Sequence, residues 1–83
     1  MSGRRITLYS THDCPNCRQA KQFLQRKGLR FQEFDVQRSA RGRKDFARLG
    51  ARRGPVILIG ETRIDGFDLR RIERALAGTA ATG

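Results

Sequence analysis

The stretch PVILIG, residues 55–60, most restricts what this chain can become. Its four central residues form a continuous apolar run with no polar face to offer water, the pattern of a strand buried inside a sheet. A proline is tolerated at the first residue of such a strand. Only 37% of the 83 residues are hydrophobic and 31% are charged, so we expect one thin core built around this strand.

The flanking patterns supply the rest of that core. RRITLYS alternates Ile6, Leu8 and Ser10 against Thr7 and Tyr9, which predicts a strand over Arg4–Tyr9. In CPNCRQAKQFLQRKG, Cys17, Ala20, Phe23 and Leu24 fall on one helical stripe, and Gly28 stops the helix. LRFQEFDV places Leu29, Phe31 and, after one slip, Phe34 and Val36 in a second strand. SARGRKDFARLGARRG is weakly helical, with Ser39 as cap, Phe46 and Leu49 inward, and Gly42 a cost to the helix. GETRIDG turns tightly into a last strand over Thr62–Ile64. FDLRRIERALAG lines up Leu69, Ile72 and Leu76, capped by Asp68 and closed by Gly78. The small residues of GTAATG, 78–83, are expected to fray.

The order is β-α-β-α-β-β-α. It predicts a single α/β domain over 1–83, with its core at about 4–77, and a four-stranded mixed sheet flanked by three helices. The first two strands should be parallel through a crossover helix, and the last two a hairpin.

Both cysteines lie in THDCPNC, residues 11–17. With Cys14 as the N-cap, Pro15 takes the first helical position, where its missing N–H costs nothing. The Asn16 and Cys17 amides then point at the Cys14 sulfur, where the positive end of the helix dipole favours an anion. Such placement lowers a thiol pKa from about 8.5 and makes Cys14 a thiolate nucleophile. Cys17, one turn on, is placed to attack a mixed disulfide on Cys14. Asp13 opposes the thiolate by charge, while Arg18 and Lys21 favour it. Two other uses of the pair stay open. A zinc site wants about four ligands, and His12 is the only further strong nitrogen ligand, so one chain cannot complete a Cys/His cage, although a dimer holding zinc or an iron–sulfur cluster can. A structural disulfide across so short a loop removes little chain entropy.

Lys and Arg number 18 against 8 Asp and Glu, a formal charge of +10. Residues 37–54 concentrate this, with seven cations against Asp45 alone. Acidic proteins, small anions and nucleic acid all respond to such a field. The segment has one aromatic, Phe46, placed like a core residue, so no stacking platform for single strands is present and nucleic acid is not the expected partner. His12 is read as a solvated loop residue and Tyr9 as packing. No apolar run approaches the ~20 residues of a membrane span, and the amino-terminal residues lack a secretory pattern. We expect a monomer in a reducing cytoplasm, where a cycling dithiol is favoured over a permanent staple.

Across residues 4–77 the chain resembles the glutaredoxin branch of the thioredoxin-fold family. The resemblance rests on CPNC opening the first helix, GPVILIG as a proline-led strand, and IDGFD before the last helix. It implies a thioredoxin-like fold and thiol–disulfide oxidoreductase activity. Cys14 would be the nucleophile and Cys17 the resolving thiol. Pro55 would be a cis-proline facing the dithiol, with the Gly54 backbone pairing to a bound peptide or to glutathione. Gly66, Phe67 and Asp68 would form the helix start that receives a carboxylate. Glutathione is the implied co-substrate, with no cofactor or metal bound and disulfide-containing proteins, some of them acidic, as substrates. Glutaredoxin-like redoxins that serve ribonucleotide reductase share the Gly66–Phe67 pair, which implies thioredoxin reductase as the alternative reductant. Thr11 stands where glutathione-binding members often carry lysine, Asn16 replaces an aromatic, Arg53–Gly54 replaces Thr-Val, and Leu69 replaces a second aspartate. Arg52 and Arg53 offer bidentate carboxylate contacts in place of that lysine.

Overall fold

The computed structural model describes residues 5–12 and 14–82. The predicted strand start at Arg4 and the Asp13 charge lie outside the described residues. The elements are β1 (Ile6–Ser10), α1 (Pro15–Arg26), β2 (Gln32–Asp35), α2 (Ala40–Arg48), β3 (Val56–Ile59), β4 (Thr62–Asp65) and α3 (Leu69–Thr82). The sheet order is β2-β1-β3-β4. β1 pairs parallel with β2 and antiparallel with β3, and β3–β4 is the expected hairpin. The fold class is therefore the predicted one: a four-stranded mixed sheet with three helices.

Where one thin core was expected, the buried residues form two clusters. One cluster, between the sheet and α1 and α3, holds Ile6, Leu8, Ala20, Leu24, Ile57, Ile59, Ile64 and Ile72. A second, on the opposite face under α2, holds Tyr9, Val36, Phe46 and Val56. Because helices cover both faces, all five residues of β1 are buried. The same fact removes the slip expected in the second strand. Phe31 packs on the first cluster and Phe34 on the second, so successive residues simply serve opposite faces. Regular pairing there spans only Gln32–Asp35. Phe34 stacks on Tyr9 in the neighbouring strand, with ring centroids 5.5 Å apart.

Helix ends follow local rules. The Gly28 amide donates to Gln25 O and the Leu29 amide to Leu24 O, the paired bonds of a left-handed glycine stop. Ser39 Oγ accepts the Gly42 amide at 2.9 Å and caps α2. Gly78 does not close α3, which continues to Thr82 and takes in most of the expected tail. A single glycine costs about 1 kcal/mol against alanine, and the alanines around it favour helix. Leu69, expected inward, is 43% exposed because it sits in the first turn of α3, while Ile72 is fully buried.

Gly42 is the sharpest departure from propensity. A Cβ there would lie 2.9 Å from Phe34 Cβ and 3.3 Å from Ser39 Oγ. The glycine is what lets α2 settle on β2. Gly42→Ala is therefore expected to lower stability by about 1–3 kcal/mol through overpacking, although helix propensity alone predicts a gain of about 1 kcal/mol. A urea titration decides between the signs.

Candidate functional site at the dithiol

Register brings the site together. β1 and β3 pair Tyr9 with Val56, so continuing the ladder past the strand ends sets Thr11 opposite Gly54. β3 and β4 pair Val56 with Asp65, which sets Gly66 opposite Pro55, and the Gly66 amide donates to Pro55 O at 2.8 Å. The start of β3 thus lies between the loop entering α1 and the loop entering α3.

Cys14 is the N-cap of α1, in extended backbone, with Pro15 following. Its sulfur accepts the Cys17 amide at 3.1 Å. One amide makes this bond; the sequence had suggested two, from Asn16 and Cys17. The two cysteines form a disulfide, with Cα atoms 5.2 Å apart, inside the usual range. They are unequally placed: Cys14 is half-buried and Cys17 only 4% exposed. The first turn of α1 carries no acidic residue to oppose an anion. Arg18 is exposed, and Lys21 pairs with Glu33 on β2 at 3.0 Å.

Gly54 and Pro55 join through a cis peptide bond, and Pro55 is fully buried. A Cβ on Gly54 would stand 2.9 Å from Cys17 Sγ, 3.0 Å from Thr11 Oγ1 and 3.2 Å from Thr11 N. The Gly54 backbone is therefore packed directly against the Cys17 sulfur. Arg52 and Arg53 are exposed in the segment leading to it.

The start of α3 is more occupied than its motif suggests. The Gly66 amide is spent on Pro55 O. Phe67 is half-buried, edge-on to Phe23 at 6.3 Å. Asp68 caps the helix, its Oδ1 accepting the Arg71 amide at 3.2 Å. The Phe67 and Asp68 amides have no protein acceptor among the described residues. His12 is exposed, as expected of a solvated loop residue. Among the described residues no group of three or more His, Cys, Asp or Glu side chains could hold a metal, and no helix is long and apolar enough to cross a membrane.

Two features escaped the sequence. Tyr9 is packed as expected, but its hydroxyl also donates to Asp45 Oδ2 at 3.1 Å, tying β1 to α2. Burial first, and then that bond, hold its pKa above the ordinary value. The Thr11 hydroxyl lies 3.9 Å from Cys17 Sγ. Neither contact has a local signal, since one depends on how α2 packs on β1 and the other on how the loop after β1 leads into α1.

The glutaredoxin family model matches residues 6–64. A glutaredoxin of Pseudomonas aeruginosa is 44% identical over 72 residues, covering 84% of this chain and 86% of the relative. Among solved structures, the NrdH-redoxin of Escherichia coli superposes with a TM-score of 0.75 at 30% identity, over 84% of this chain and 92% of that one. The thioredoxin-like protein BC3987 does so with a TM-score of 0.79 at 26% identity, over 86% and 99%. The matched span runs from β1 through the Cys14–Cys17 pair to β4, so the same elements that build the redox site carry the likeness, and the chain belongs to the glutaredoxin family.

Proposed function

We propose that this protein is a thiol–disulfide oxidoreductase that reduces protein disulfides or glutathione mixed disulfides through Cys14 and Cys17. The observation that carries this reading is the unequal placement of the two sulfurs. Cys14 is the accessible one and receives an amide at a helix start, which favours the thiolate. Cys17 is buried behind it. In the reduced protein the Cys14 thiolate attacks a substrate disulfide, forming a mixed disulfide and releasing one substrate thiolate. Cys17 then attacks Cys14 Sγ, closing the intramolecular disulfide and releasing the second. The substrate gains two electrons and the protein loses two.

Glutathione is the co-substrate in this reading. Arg53 would meet one of its carboxylates, and the Gly54 and Pro55 backbone would line its peptide. The helix start at Gly66, Phe67 and Asp68 would receive its other carboxylate through the Phe67 and Asp68 amides, since the Gly66 amide is engaged. The exposed cations Arg43, Lys44 and Arg48 on α2, with Arg38 just before it and Arg52 and Arg53 after it, favour disulfide substrates that carry acidic surfaces. A cytoplasmic site of action suits a dithiol that must be kept reduced.

A second reading has thioredoxin reductase as the electron source and ribonucleotide reductase as the acceptor. Two observations favour it. Thr11 packs inward against Cys17, where a long cation would reach for glutathione. The E. coli NrdH-redoxin, whose structure is described by a thioredoxin-like activity profile, is 30% identical to this chain.

Paired NADPH-oxidation assays test both readings, one with glutathione and glutathione reductase, the other with thioredoxin reductase, on insulin and on a glutathione mixed disulfide. Turnover is expected with glutathione, and turnover only with thioredoxin reductase selects the second reading. Raising ionic strength from about 0.01 to about 0.15 M shortens the screening length from roughly 30 to 8 Å. It is expected to lower kcat/KM several-fold for an acidic protein disulfide and little for a neutral one. No turnover with either donor, together with stoichiometric zinc or iron in anaerobically purified protein, overturns the enzyme reading in favour of a dimeric metal module.

A further inference from the structure

We propose that Arg63, steadied by Asp65, is a positioning residue for the substrate-facing segment Arg52–Gly54. It acts by fixing where that segment begins. This rests on the reading of Arg53 and Gly54 as substrate contacts.

The segment does not hold itself in place. Among the described residues, Arg52, Arg53 and Gly54 make no backbone hydrogen bond. α2 ends just before them in a left-handed glycine stop, where the Gly50 amide donates to Ala47 O at 2.9 Å and the Ala51 amide to Phe46 O at 3.2 Å. From the Ala51 amide to the Pro55 carbonyl the backbone then has no hydrogen bond of its own.

The β3–β4 hairpin supplies a tie at each end. In its ladder Arg63 lies opposite Leu58 and Asp65 opposite Val56, and both partners pack on the α2 side of the sheet. Arg63 and Asp65 therefore project on that side of the edge strand. Arg63 Nη1 donates to Leu49 O, the carbonyl of the α2 C-cap, which no other donor among the described residues reaches. A cation there also meets the negative end of the helix dipole. Arg63 Nε and Nη2 donate to Asp65 Oδ1 and Oδ2 at 2.7 and 3.0 Å, a two-toothed contact that sets the guanidinium plane. Just past β4, the Gly66 amide holds Pro55 O at 2.8 Å. Leu49 and Pro55, on either side of the segment, are thus both fixed to the same end of the hairpin.

The fixed ends set the place of Gly54. Its backbone packs against Cys17 Sγ and Thr11, where a Cβ would stand 2.9 and 3.0 Å from Cys17 Sγ and Thr11 Oγ1. A substrate paired to that backbone is therefore laid against the dithiol. Each guanidinium nitrogen of Arg63 is already engaged by Leu49 or Asp65, so its influence on substrate passes through the segment.

Arg63→Gln and Asp65→Asn loosen the same tie but change the net charge in opposite directions. A purely electrostatic role predicts opposite shifts in kcat/KM for an anionic substrate, whereas positioning predicts a loss in both. For a glutathione mixed disulfide, with whichever electron donor supports turnover, Arg63→Gln is expected to lower kcat/KM about tenfold and Asp65→Asn about threefold, because small misplacements of a bound reactant are costly. Alkylation of reduced Cys14 by iodoacetamide needs none of these contacts and is expected to keep its rate and pH midpoint. Limited trypsin digestion of the native protein reads the segment without turnover. Cleavage after Arg52 or Arg53, identified by mass spectrometry, is expected to rise several-fold in both variants relative to cleavage after Arg30 in the α1–β2 connection. The ratio to Arg30 cancels any general loss of stability. Unchanged relative cleavage in both variants, unchanged kcat/KM in both, or shifts of opposite sign in kcat/KM overturns the role of Arg63 and leaves the oxidoreductase reading standing. No turnover in the unmodified protein overturns that reading, and the cleavage ratio still decides for or against the tie.

Discussion

Cys14→Ser is expected to abolish turnover with either electron donor, by at least about 10³-fold, which is roughly 4 kcal/mol of barrier at 1.36 kcal/mol per decade. The nucleophile in thiol–disulfide exchange is a thiolate. A serine hydroxyl at the start of α1 receives the same Cys17 amide but does not ionise near neutral pH, and its oxygen forms no disulfide. The fold should survive, because serine is a good N-cap. Unfolding by urea should therefore remain cooperative, with a midpoint close to that of the reduced parent. Cys17→Ser separates the two halves of the reaction. Reduction of protein disulfides should be lost, since nothing internal resolves the mixed disulfide. Reduction of a glutathione mixed disulfide should persist if glutathione is the partner, because a second glutathione can resolve the Cys14 adduct. Full activity of Cys14→Ser in the coupled assay would refute the assignment of roles.

Phe46→Ala is the largest expected change in stability. Phe46 anchors α2 in the second cluster, where Tyr9, Val36 and Val56 complete the buried set. Large-to-small changes at a buried phenylalanine cost about 3–5 kcal/mol. A domain of this length has a core worth little more than that, so the variant is expected to be partly unfolded at 25 °C. The cost should appear as a lower urea midpoint. A loss below about 1.5 kcal/mol would show that α2 is held by something other than this cluster, the polar tie from Tyr9 to Asp45 being the first candidate. The consequence reaches function, because α2 carries the cations that lead toward Arg52 and Arg53.

Much of this molecule was legible before its structure. The order of elements followed from the apolar run at Val56–Ile59, the stripe from Cys17 to Leu24, and the glycine at residue 28. The Cys14 cap followed from Pro15, because a proline after the first cysteine leaves few other helix starts. These are interactions among residues three or four apart, governed by backbone geometry that does not depend on the remainder of the chain. The errors had a common source. Leu69, the strand slip and the single core were each read as if an element had one dry face and one wet one. Whether a face is wet depends on which helix covers it.

The site divides along the same line. The sequence by itself determined the chemistry at Cys14: a sulfur at a helix start, a proline with no amide to compete, and a second sulfur one turn away. Only the tertiary structure decided what surrounds Cys17. The antiparallel pairing of β1 with β3 brings Gly54 to Thr11, and the hairpin to β4 engages the Gly66 amide with Pro55. The physical reason is separation along the chain: residues 11 and 54 have no local geometry in common, and they meet because the antiparallel β1–β3 ladder pairs Tyr9 with Val56.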